Sequence, residues 1–68
     1  MTASPEFRRE VIRHANRRGY NSQEVSALLD YTDYAFDTVN REGYEVPVTT
    51  NAVVGVLDIW EESFDVEP

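Results

Sequence analysis

The stretch from Asn21 to Tyr44 constrains the fold more than any other, because it reads as one amphipathic helix with a start and a stop. From Val25 onward, Leu28, Leu29, Thr32, Ala35, Phe36 and Val39 recur at spacings of three and four and fall on one helical stripe. Asp30, Asp33 and Asp37 lie on the other side, within about 60° of one another at the helical repeat. An oily stripe of that length has to be buried, and the chain supplies two more of the same kind to bury it against.

The first lies upstream. Ser4 offers a capping hydroxyl, Pro5 suits the first helical position, and Glu6 sits near the positive end of the helix dipole. Phe7, Val11, Ile12 and Ala15 then share a face, which predicts a helix over about 5–18. Gly19 can adopt the left-handed conformation that ends it, with Tyr20 folding back on Ala15. The central helix, over about 22–42, closes with nearly the same words: Asn40-Arg41-Glu42-Gly43-Tyr44 repeats Asn16-Arg17-Arg18-Gly19-Tyr20. The repeat reads as one capping solution used twice, with Tyr44 packing on Val39, because the residues preceding the two caps do not align.

Pro47 forces Val46 out of the helical region, so 45–50 is an extended connection. Thr49, Thr50 or Asn51 can cap a third helix over about 51–64, with Val53, Val56, Leu57, Trp60 and Phe64 on its inner face. A strand is the rival reading of this valine-rich stretch, but strict alternation would give it no polar side. The expected architecture is all-α, a single three-helix domain over 1–68, frayed at both termini. Its core would contain Phe7, Val11, Ile12, Ala15, Val25, Leu28, Leu29, Phe36, Val39, Val53, Val56, Leu57, Trp60 and Phe64.

A chain of 68 residues has little stability to spare, and the absence of cysteine removes both disulfides and thiolate zinc sites as sources of it. Helix packing or self-association has to serve, and a homo-oligomer is among the expected outcomes. No apolar run suits a signal peptide or a membrane span, so a cytoplasmic location is expected.

The net charge is −7, with six arginines and no lysine. It is divided unevenly: residues 1–20 carry +3 and residues 21–68 carry −10. Such a chain as a whole repels nucleic acid and anionic membranes and favours a partner protein with a basic surface. Solubility or adaptation to salt would produce the same acidity without any partner.

Catalytic signatures are missing where they would be easiest to see. One histidine, no lysine, no glycine-rich phosphate loop and no nucleophile elbow leave no expected catalytic residue, cofactor or metal. His14 follows Glu10 by four residues and reads as a surface pair or a core-edge imidazole. Three carboxylates on one helix face, with no ligands from a second helix, do not make a metal cage.

The acidic rows suggest a different role. Asp30, Asp33 and Asp37 advance by about 4.5 and then 6 Å along a helix, close to the spacing of backbone phosphates. Asp58, Glu61, Glu62 and Asp65 form a second row on the third helix. Tyr31 and Tyr34 project from the central helix, and Val54 and Ile59 from the third, as apolar contact area of the kind found at protein interfaces. The expected partner-binding set is therefore Asp30, Tyr31, Asp33, Tyr34, Asp37, Asp58, Ile59, Glu61, Glu62 and Asp65. It fits a small non-catalytic inhibitor or regulator, of the phage or mobile-element type, that covers a basic nucleic-acid-binding surface as a partial DNA or RNA mimic. The alternative is a nucleic-acid-binding regulator using Arg9, Arg13 and Arg17, an i, i+4, i+8 row flanked by Arg8 and Arg18. Glu6 and Glu10 partly neutralise that row, so direct nucleic-acid binding is disfavoured.

The turn Arg18-Gly19-Tyr20 between two short helices, followed by Val25 and Leu28, resembles the glycine–aromatic loop of ubiquitin-associated domains, which are three-helix modules that bind ubiquitin. The resemblance covers about a third of the chain and stops at the loop and the start of the second helix. Arg18 stands where that family usually has methionine, and the gap to the third helix is longer. No function is carried over from it.

Overall fold

A computed structural model describes residues 3–65, and of 64 and 65 the backbone alone. It contains three helices: α1 (Pro5–Arg17), α2 (Ser22–Arg41) and α3 (Thr50–Asp65). The all-α, three-helix architecture stands, with each boundary within one residue of the reading from sequence. The expected core role of Phe64 and surface role of Asp65 lie outside the described side chains.

Each helix starts on a side chain that satisfies backbone N–H groups left without intrahelical partners. Ser4 Oγ accepts from the Phe7 N–H at 3.2 Å, and Thr49 Oγ1 from the Ala52 N–H at 3.2 Å. At α2 the capping is reciprocal: Asn21 Oδ1 accepts from the Glu24 N–H and Glu24 Oε1 from the Asn21 N–H, both at 2.8 Å.

Helices α1 and α2 end identically. The Gly19 N–H donates to the Asn16 carbonyl and the Tyr20 N–H to Ala15; the Gly43 N–H donates to Asn40 and the Tyr44 N–H to Val39. With φ of +84° at Gly19 and +88° at Gly43, both are Schellman caps. The turn that resembles the ubiquitin-associated loop is thus accounted for by helix termination, since the same geometry recurs at the end of α2. Replacing Gly43 by alanine is expected to lower stability by about 1 kcal/mol, because the left-handed conformation is strained for any residue with a Cβ. Gly55 is the internal control: it is helical, a Cβ there meets nothing within 4 Å, and Gly55→Ala should raise stability by about 0.5–1 kcal/mol. Thermal melts followed by far-UV circular dichroism read both signs.

Packing is centred on α1, which touches α2 and α3 more extensively than these touch each other. This shifts the organising role from the longest helix to the shortest. The buried apolar set is Ala3, Phe7, Val11, Ala15, Leu28, Phe36, Val53, Leu57 and Trp60, with Val25, Leu29 and Val56 half-buried around it. Phe7 and Phe36 meet edge to face, ring centroids 4.6 Å apart, and Tyr20 leans on Trp60 at 5.5 Å. Thr32 is buried too, its hydroxyl donating to the Leu28 carbonyl at 2.7 Å.

Several expectations need correction. Ile12, expected in the core, is 36% exposed, because α1 is rotated to present Phe7, Val11 and Ala15 to both neighbours at once. Val39 is only half-buried. Tyr31 and Val54, expected to project outward, are half-buried, and Tyr31 packs against the core. Tyr44 closes its cap through the backbone while its side chain stays 65% exposed, so it does not bury itself on Val39.

Candidate functional site

The carboxylate row of α2 does not present itself as one surface. Asp33 turns toward α1, where Oδ1 accepts from the Ala3 N–H at 2.9 Å and Oδ2 pairs with the Arg8 guanidinium. Burial alone would push the Asp33 carboxyl up; Arg8 and the Ala3 N–H outweigh it and hold the group below the usual aspartate range. Asp37 is half-buried and pairs with Arg41 one turn on, at 3.0 Å. Asp30 alone of the three is exposed.

A similar division runs along α3. Arg18, at the C-cap of α1, reaches across to Asp58 at 3.0 Å and also pairs with Glu61. Those two carboxylates clasp the end of α1 to α3, while Ile59 and Glu62 remain exposed on the outer side. On α1, Glu10 pairs with Arg13 at 2.7 Å, the i, i+3 neighbour, in place of the expected pair with His14. Among the described residues, Arg9 and Arg17 are exposed with no carboxylate at ion-pair distance.

The solvent-facing stripe of α2 is therefore Gln23, Ala27, Asp30, Tyr34, Thr38 and Arg41, all exposed and with its two charges opposed. Tyr34 is its largest feature, 69% exposed, directly opposite the buried stripe of Leu28, Thr32 and Phe36. Ile59, 56% exposed, has the same position on α3, one turn from Glu62. The connection adds Tyr44 and Val48, both exposed and flanked by Glu42 and Glu45, while Val46 packs inward.

Of the ten residues expected to bind a partner, Asp30, Tyr34, Ile59 and Glu62 are exposed, and Asp65 lies outside the described side chains. Asp33, Asp37, Asp58 and Glu61 are engaged with arginines, and Tyr31 is half-buried. Sequence reasoning did not place Tyr44 and Val48 on the surface, though the signal was available: apolar residues in a short extended connection around Pro47 that has few positions to cover them. No group of three or more histidine, aspartate or glutamate side chains that could hold a metal occurs among the described residues, and none of the described helices is long and apolar enough to cross a membrane. Compared with known proteins, the chain matches no family model, no curated protein and no solved structure.

Proposed function

We propose that this chain is a non-catalytic interaction module, a small inhibitor or regulator of the phage or mobile-element type, that docks on a basic surface of a partner protein where nucleic acid would otherwise bind. The observation that carries the reading is the exposure of Tyr34 and Ile59 beside Asp30 and Glu62, large apolar side chains next to carboxylates that no arginine of the described residues neutralises. An aromatic anchor contributes contact area, and the carboxylates beside it select a cationic partner. The acidic surface is smaller than a full phosphate-like row, so mimicry is partial and centred on Asp30, Glu62 and the Glu42–Glu45 segment.

The alternative, direct binding of nucleic acid by Arg9, Arg13 and Arg17, is favoured by the exposure of all three and opposed by the Glu10–Arg13 pair and by the overall charge of −7. Capture of the partner from source-cell extract followed by a labelled-DNA gel shift separates the two. The proposal expects no shift by this chain alone and loss of the partner's shift when the chain is added; a shift by this chain alone supports the alternative.

Neutralising all three α2 aspartates would be a poor test, because Asp33→Asn disturbs the fold as well as the surface. Asp30→Asn combined with Tyr34→Ala is the clean variant. Its melting temperature should stay within a few degrees of the parent, while partner affinity falls by about tenfold or more. Unchanged affinity would exclude this face.

A further inference from the structure

We infer that the outward face of α1 is a second docking surface, opposite in charge to the first, for an acidic peptide segment carrying an apolar anchor. Between the residues preceding α1 and its second turn lies an open depression of about 420 Å³, lined by Ala3, Pro5, Arg8, Arg9 and Ile12. Its wall is apolar at Pro5 and at Ile12, a side chain the core leaves uncovered. Arg8 is held by Asp33, so its aliphatic stem forms a fixed side of the depression. Arg9 is exposed with no described partner, and Arg13 and Arg17 continue the row one and two turns along.

Charge complementarity identifies the occupant. Here Arg8, Arg9, Arg13 and Arg17 outnumber Glu6, Glu10 and Asp33, so this face keeps a small positive charge on a chain of net charge −7, and an acidic ligand meets attraction at Arg9. Phosphate backbones gain nothing from an apolar wall, and Glu6 and Glu10 on the same helix repel a continuous polyanion. A peptide that alternates apolar and acidic side chains satisfies both parts: its apolar residue enters the depression, and a neighbouring carboxylate reaches Arg9, the exposed guanidinium on the rim that has no partner among the described residues.

Fluorescence anisotropy on the full chain at low salt tests this with a labelled peptide alternating leucine and glutamate, a second in which serine replaces leucine, and labelled oligothymidylate. The leucine peptide is expected to bind, and the serine peptide and oligothymidylate to bind at least about tenfold more weakly, because neither fills the depression. Arg9→Glu and Ile12→Asp, both at exposed positions, should each weaken the leucine peptide by about tenfold with an unchanged circular dichroism spectrum; Asp30→Asn should not weaken it. No binding of the leucine peptide, equal binding of the serine peptide, or equal binding of oligothymidylate overturns the proposal. So does a dimer, seen by light scattering, that Ile12→Asp dissolves, since the occupant is then a second copy of this chain.

Discussion

Phe7→Ala is expected to leave the chain largely unfolded, with most of its helical circular dichroism lost at room temperature. Phe7 is wholly buried on α1, its ring set edge to face against Phe36 of α2, in a core that also includes Val53 and Leu57 of α3. Truncating a buried phenylalanine costs about 3–5 kcal/mol through lost burial and the cavity left behind. A domain of this size has a total stability of about 3–10 kcal/mol, so the loss takes a large part of the margin. Leu57→Ala, which opens the same core from the α3 side, should cost about 2–5 kcal/mol. Ile12→Ala provides the contrast: the side chain is partly in water, and its removal should cost only about 1 kcal/mol. Denaturant titrations of the three variants check the order. If Ile12→Ala proved as damaging as Phe7→Ala, α1 would be rotated differently from the arrangement described.

Helix positions and ends were legible because their causes are local. Ser4, Asn21 and Thr49 cap within three residues of themselves, and Gly19 and Gly43 close turns that involve only the preceding few carbonyls. Stripe periodicity likewise identified Phe7, Leu28, Phe36, Val53, Leu57 and Trp60 as core. Rotation about each helix axis was less legible, since it depends on where two neighbours press. That is why Ile12 turns outward while Ala3, ahead of the helix, is buried.

The charged surface was least legible, for a related reason. Asp33 finds Arg8 across 25 residues of sequence, and Arg18 finds Asp58 across 40. A helical wheel shows that a carboxylate faces away from the core but not that an arginine of another helix comes to meet it. The i, i+3 and i, i+4 pairs, Glu10–Arg13 and Asp37–Arg41, could have been read from spacing alone. The structure thereby converts much of an apparently free acidic face into links between helices, and what stays exposed on the outer faces of α2 and α3 is marked by Tyr34 and Ile59 more than by the aspartates.

The link between α1 and α2 gives the second strong expectation: Asp33→Ala should destabilise the fold by about 2 kcal/mol at neutral pH, and more than Arg8→Ala does. The aspartate serves two donors at once, so its removal strands the N–H of buried Ala3 as well as the Arg8 guanidinium. Losing Arg8 leaves Asp33 with Ala3 still bound and with solvent access of its own. In a double-mutant cycle with both alanine variants, the coupling should therefore account for only part of the Asp33 loss. The pH dependence follows from the depressed carboxyl of Asp33. Above the unfolded-state value of about 4 the carboxylate is charged in both states and the folded state has the full benefit of its partners. As the pH falls through the lower folded-state value, the unfolded chain takes up the proton more readily and that benefit is lost. Parent and Asp33→Ala should thus differ most in melting temperature at neutral pH and converge in strong acid. A gap that persists undiminished at low pH would mean that residue 33 acts through packing and not through its charge.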